Sequence, residues 1–325
     1  MIKNICLVDT PFALSLYLLK MPLDEIMCTK FITSGSISKM VTDMLPNRCI
    51  VYENYEPSTT WQNLLKVRID RFIRFPYIYW SKVYAQDHLS LSAQVIGKKQ
   101  YTLIADTPNG FYNWSVCAYQ PHDFPIGSTW RSKIKNMLVY GGTMFGKMYG
   151  TNNQCVQRWL VGEGEENTVY VKGRTYEIVD VQDLWEKASF EKKILIQSIF
   201  HVSDDLLNKA KEADTIILTQ PFREDCSLSD EEFINIYKPY INQETKVVIK
   251  PHPRDKFDWE KNFPNTIVLR TPAPMQLLNY MGVRPQCAIT VCSTSIYAMP
   301  ENVKRLMLGT KINKKILDTY GDLFN

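Results

Sequence analysis

The sequence predicts an α/β protein of two Rossmann-like domains facing a cleft. Three observations carry that reading. Short apolar runs alternate with helical stretches through the first hundred residues, and the rhythm returns after residue 215; this alternation marks parallel, doubly wound sheets. At 325 residues and 45% hydrophobic content, the chain can bury two ordinary cores. Several apolar runs end in polar, turn-rich segments, and open α/β sheets bind ligands at the carboxyl ends of their strands.

Residues 2–8 read as the first strand. Thr10-Pro11 then opens a helix from Phe12 to Leu19, with Thr at the cap and Pro in the first turn. Residues 26–32 form a second strand, Thr33-Ser34-Gly35-Ser36 a turn before another helix, and 49–52 a third strand. Residues 64–82 mix Lys66, Arg68, Arg71, Arg74 and Lys82 with Ile69, Phe72, Ile73, Phe75, Tyr77, Tyr79 and Trp80. Two readings stand for this segment. It lies on an anionic membrane surface, or it is a helix whose aromatic stripe is core and whose basic face is solvated. Gln86 begins a helix running to about Ile96, and Tyr101–Ala105 is a strand ending in Asp106-Thr107-Pro108-Asn109-Gly110. There a functional carboxylate competes with plain turn chemistry.

Residues 111–150 are aromatic and Gly-rich but lack the Gly-x-Gly-x-x-Gly spacing of a phosphate loop. Short strands fill 155–180, and helical stretches near 181–199 and 203–213 hold the domain boundary, giving domains 1–195 and 196–325. The second domain has strands at 215–218, 246–249, 266–269 and 288–291, with helices at 230–240 and 274–280.

The strand Val247-Val248-Ile249 breaks into Lys250-Pro251-His252-Pro253-Arg254. The two prolines bar helix and hold His252 extended at a strand end. An imidazole between two cations suits an anionic ligand, most simply a phosphate; the plainer reading is a Pro-rich turn. Ser293-Thr294-Ser295 follows another strand and offers hydroxyls to a phosphate, or simply caps a helix.

Against 34 acidic residues stand 38 basic ones, a net +4 that gives no case for nucleic acid. No run reaches membrane-spanning length, and the N-terminus does not read as a signal peptide. Eight scattered cysteines without Cys-x-x-Cys point to reduced thiols and a cytoplasmic protein. No Asp-x-Asp triplet offers a metal clamp for a sugar nucleotide, so no metal is expected. A departing phosphate would rest on His252, Lys250 and the Ser293–Ser295 cluster instead. The pattern describes a two-domain transferase.

Several pieces together resemble the bacterial lipooligosaccharide sialyltransferases, glycosyltransferase family 52. Asp9-Thr10-Pro11-Phe12 resembles the family's Thr-Pro segment, and Ala85-Gln86-Asp87-His88-Leu89 with Tyr101–Asp106 resembles the run into its acidic motif. Leu218-Thr219-Gln220-Pro221 is similar to its Thr-Gln-Pro strand end, Ile249–Arg254 to its His-Pro motif, and Ser293–Ser295 to its serine motif. The five fall in order between about residues 6 and 296.

The resemblance implies a GT-B-like fold with an acceptor-side first domain and a nucleotide-sugar-binding second one. It also implies CMP-sialic acid as donor, no cofactor or metal, and inverting transfer to a galactose-type hydroxyl of a surface glycan, lipooligosaccharide or capsule. His252 would stabilise or protonate the departing phosphate. Donor contacts would come from Lys250, Pro253, Arg254, Thr219, Gln220, Ser293, Thr294 and Ser295, and acceptor contacts from Thr10, Pro11, Asn109 and Gly110. The enzyme would act from the cytoplasmic side, at the inner face of the bacterial membrane; peripheral contact through residues 64–82 is a separate expectation, resting on that segment's basic and aromatic residues. A homodimer is compatible with the resemblance, since related enzymes dimerise by exchanging segments.

The chain departs from the family at the acidic motif, where two acidic residues and Gly are replaced by Ala105-Asp106-Thr107. Neighbouring strand residues face opposite sides, so Asp106 replaces a residue at 105 only if the backbone turns. Three readings follow: Asp106 is the base, another carboxylate such as Asp9 or Asp123 substitutes, or the chemistry differs. A hexosyltransferase using another nucleotide sugar, and a non-catalytic nucleotide-sugar-binding protein, are the alternatives.

Overall fold

The computed structural model describes residues 1–53, 61–87, 90–97, 99–105, 130–131, 134, 150, 154–161, 175–241 and 245–324. The chain divides into two compact units, Met1–Ile199 and Phe200–Asn325.

Among the described residues, the N-terminal unit carries seven parallel strands: β1 (Asn4–Leu7), β2 (Thr29–Thr33), β3 (Ile50–Val51), β4 (Lys82–Ala85), β5 (Tyr101–Ile104), β6 (Cys155–Leu160) and β7 (Thr175–Ile178). Their order is β3-β2-β1-β4-β5-β6-β7. The helix after β1, Pro11–Lys20, starts as the sequence indicates. Thr10 is extended, and its Oγ1 accepts a hydrogen bond from the Ala13 N–H at 3.2 Å. Every residue from Phe12 to Leu19 is buried, which accounts for a helix that is apolar all round.

The C-terminal unit is a five-stranded parallel sheet, β8 (Thr215–Leu218), β9 (Val247–Lys250), β10 (Ile267–Val268), β11 (Cys287–Thr290) and β12 (Lys304–Met307), in the order β10-β9-β8-β11-β12. One of its cores packs Phe222, Phe233, Tyr237, Phe257 and Trp259. These rings meet edge-on, Phe233 and Phe257 at 5.2 Å and Phe257 and Trp259 at 4.9 Å between centroids.

Several elements differ from the sequence reading. Residues 64–82 are not one helix: the helix is Trp61–Ile73, Pro76–Tyr79 is a 3-10 turn, and β4 begins at Lys82. Pro76 forces the break, pushing Phe75 out of helical geometry (φ −143, ψ 54). The helix expected from Gln86 starts at Ser90, because Gln86 and Asp87 spend their side chains on backbone at strand ends. The strand expected at 26–32 begins only at Thr29, as β2, because Leu23–Met27 is a helix turn. β12 and the helix Lys314–Tyr320 were not anticipated. The seven cysteines among the described residues are free thiols.

Candidate active site

In the C-terminal unit the chain winds outward from β8 through β9 to β10, then returns to the other side of β8 with β11. That reversal is a topological switch point, the ligand site of open α/β sheets. The register places the strand ends level: Leu218 pairs with Lys250 on one side and Thr290 on the other. Thr219-Gln220, Pro251-His252 and Val291–Ser295 therefore leave the sheet side by side.

Five hydrogen bonds fasten the His252 loop. The His252 N–H donates to Thr219 Oγ1 at 3.3 Å, and that hydroxyl donates to Asp255 Oδ2 at 2.7 Å. The Asp255 N–H returns to the His252 carbonyl at 2.8 Å. The buried Asp255 carboxylate also accepts from the Phe257 N–H and from Trp259 Nε1, each at 2.9 Å. Two strand ends and the aromatic core are thus tied to one side chain.

The Arg254 N–H donates to His252 Nδ1 at 3.2 Å. An acceptor Nδ1 fixes the neutral tautomer with the proton on Nε2. Burial first, then the Arg254 and Lys250 charges, lower the imidazole pKa from its ordinary 6.5. Geometry and electrostatics both favour the neutral ring with its proton on Nε2.

Lys250 is partly exposed, and its Nζ donates to the Thr271 carbonyl at 3.4 Å. Burial pushes its pKa down to about 8. A cation held partly out of water gains from an anionic partner. Arg254 differs: its guanidinium grips Asp225 through two 2.8 Å bonds, and the Tyr320 hydroxyl donates to the same carboxylate at 2.6 Å. Those partners hold Asp225 below the usual carboxylate range. The fork expected on a donor is spent within the fold, and Arg254 acts on His252 through charge and backbone. Pro253 is exposed and Gln220 partly so.

At the end of β11, Thr290 Oγ1 donates to the Leu218 carbonyl at 2.7 Å and accepts from the Ser293 N–H at 3.2 Å. Buried Ser293 caps the 3-10 turn Thr294–Ala298 by accepting from the Ser295 N–H at 3.3 Å. Thr294 is exposed and Ser295 partly so, leaving their hydroxyls accessible.

The N-terminal unit has its own switch point between β1 and β4. Gln86 spans it: its Oε1 accepts from the N–H groups of Asp9 (2.6 Å) and Thr10 (3.3 Å), and its Nε2 donates to Thr10 Oγ1 at 3.2 Å. Buried Asp9 accepts from Thr33 Oγ1 at 2.6 Å and the Ser34 N–H at 2.5 Å, tying β1 to β2. Asp87, also buried, accepts from Tyr101 Oη (2.6 Å) and the Gly150 N–H (2.8 Å). Pro11 is partly exposed beside Thr10. Ala105 is buried, and its N–H donates to the Trp159 carbonyl at 3.0 Å, so β5 pairing continues to the residue before Asp106. Asp106, Asn109, Gly110 and Asp123 lie outside the described residues.

Gln86, Asp225 and Asp255 carry more of both sites than sequence reasoning assigned them. Gln86 and Asp255 each adjoin a recognisable motif, and that adjacency was the available signal. Asp225 is linked to Arg254 only by the fold.

Two doubly wound parallel units, each with a polar cluster at its switch point, have the build of GT-B glycosyltransferases. Residues 82–315 match glycosyltransferase family 52, and the chain belongs to that family. It is 30% identical over 243 residues to an uncharacterized protein of Haemophilus influenzae, covering 74% of this chain and 72% of that relative. Among solved structures it is similar to the α/β-galactoside α-2,3-sialyltransferase of Photobacterium phosphoreum (12% identity, 94% of this chain, 90% of that one, TM-score 0.55). It is also similar to the GT-B domain of a Photobacterium damselae sialyltransferase (11%, 94% and 90%, 0.55). A third likeness is to a Photobacterium 2,6-sialyltransferase solved with CMP and lactose (10%, 98% and 74%, 0.55). These are likenesses of fold. Family membership makes the protein a glycosyltransferase, as its five motifs indicated.

Proposed function

We propose that the protein is an inverting, metal-independent sialyltransferase, moving sialic acid from CMP-sialic acid to a galactose-type hydroxyl of a bacterial surface glycan at the cytoplasmic face. The observation that supports it most is the neutral Nε2–H of His252, presented at a strand end beside the anion-seeking Lys250. The acceptor oxygen attacks the sialyl anomeric carbon as its bond to the CMP phosphate oxygen breaks. The electron pair stays on phosphate, and the acceptor proton passes to a carboxylate, for which Asp106 is the candidate. His252 and Lys250 stabilise the charge growing on phosphate, with the hydroxyls of Ser293, Thr294 and Ser295 as further donors. Thr219, Gln220 and Pro253 flank the donor; Thr10, Pro11, Asn109 and Gly110 serve the acceptor.

Calorimetric titration with CMP, UDP and GDP, with EDTA present, tests the donor. Preferential CMP binding is expected; preference for UDP or GDP overturns it. Ala105, where the family carries an acidic residue, favours the second reading of a hexosyltransferase or a nucleotide-sugar-binding protein. CMP binding without transfer to any galactoside would select the binding protein.

A further inference from the structure

The helix Trp61–Ile73 buries one face and leaves a second apolar face in water. Val67 and Asp70 point inward, followed by Phe75 and Ile78, all buried. Phe72 is 68% exposed, Ile73 73% and Trp80 64%, with Ile69 and Tyr79 also open. Ile69, Phe72 and Ile73 follow i, i+3, i+4 spacing on one helix face. The Phe72 and Tyr79 rings lie 6.0 Å apart and join that face to the 3-10 turn. The helix face and the turn thus meet at Phe72 and Tyr79, with Trp80 the next residue along the chain.

Cations rim it. The Arg71 guanidinium sits 6.0 Å from the Tyr79 ring centroid, and Lys99 Nζ donates to the Tyr79 carbonyl at 2.8 Å. Lys66, Arg74 and Lys82 are exposed. Residues 61–82 contain five Lys or Arg and one carboxylate, a local excess equal to the +4 of the whole chain. That carboxylate, Asp70, is buried and accepts from Arg74 and the Tyr52 hydroxyl. The segment shows solvent apolar rings and positive charge, with no exposed acid.

We propose that this surface docks the N-terminal unit onto an anionic lipid bilayer. The aromatic side chains enter the boundary between headgroups and acyl chains, and the cations meet lipid phosphates. Tyr and Trp favour that boundary because one end is apolar and the other wet. Basic residues beside them add attraction that salt screens. No helix among the described residues is long and apolar enough to cross a membrane, so attachment is peripheral. The inference is independent of the sugar donor.

The test is sedimentation of the full chain with vesicles of phosphatidylethanolamine and phosphatidylglycerol, and with vesicles of phosphatidylcholine alone, at low and high salt. Binding is expected to the anionic vesicles only and to weaken with salt. Phe72→Ser with Trp80→Ser should lower the bound fraction roughly tenfold or more, and Lys66→Glu with Lys82→Glu should do likewise. Circular dichroism and thermal unfolding of each variant check the fold. Equal binding to both vesicle types, or undiminished binding by either folded variant, overturns the proposal. A dimer in solution that the Ser variants dissociate would instead assign the surface to a second copy of the chain.

Discussion

The backbone N–H of Arg254 points at Nδ1 of His252 from 3.2 Å and leaves Nε2 to carry the proton. A protonated ring would set two N–H groups against each other there, so geometry and the lowered pKa agree. The neighbouring cation therefore acts on His252 from the backbone side as well as through its charge.

His252→Ala should lower kcat by about 10²–10³, the usual cost of losing one preorganised donor to a developing oxyanion, with the fold intact. Steady-state kinetics check this. Because the folded pKa lies below 6.5, the unfolded chain binds more protons in the window beneath that value. Stability should fall as pH drops from 6.5 into the window, and the Ala variant should lose that part of the slope in urea unfolding.

Lys250 should make nucleotide affinity depend on alkaline pH. Its free-state pKa is about 8, and a bound phosphate favours the charged form. CMP affinity should therefore hold below pH 8 and decline as pH rises through it. Lys250→Arg should remove the decline, and Lys250→Met should weaken binding roughly tenfold at pH 7. Titration calorimetry across pH reads both. The unliganded fold should gain stability between about 8 and 10.5, where the unfolded lysine alone keeps its proton.

Gln86→Leu should cost about 1–3 kcal/mol, since leucine offers no acceptor to the buried Asp9 N–H, which donates to Gln86 Oε1. Chemical unfolding measures the loss. Gln86→Glu keeps the acceptor toward both N–H groups and should cost less.

The fold was legible because both sheets are wholly parallel, and buried parallel strands read as apolar runs. β8, β9 and β11 fell within a residue or so of their sequence positions. β4 was missed because Lys82-Val83-Tyr84-Ala85 is only four residues and continues a basic, aromatic segment. The extended strand end that presents His252 was legible in the Pro-His-Pro spacing, since proline constrains its neighbours locally. The clamp on that half was not: Thr219 and Asp255 are 36 residues apart, and no periodicity links them. Nor does sequence show that Arg254, which reads as a donor ligand, is held by Asp225 and Tyr320.

Asp255 ties Thr219 to the aromatic core beside the His252 loop, and its variant should separate stability from chemistry. One oxygen accepts from Thr219 and Trp259, the other from Phe257, so every bond it makes is an acceptance. Asn keeps the shape but turns one oxygen into a donor facing other donors. Asp255→Asn should therefore cost about 1–3 kcal/mol in urea unfolding. It should also release Thr219 from its partner and with it the His252 N–H. If position is what Asp255 supplies, kcat should fall tenfold or more while KM for the donor changes little, because Lys250 and the hydroxyls of the Ser293 segment keep their places. Asp255→Glu would not rescue it, since the longer arm cannot reach the same three donors. An Asn variant with full kcat at reduced stability would leave Asp255 a purely structural carboxylate.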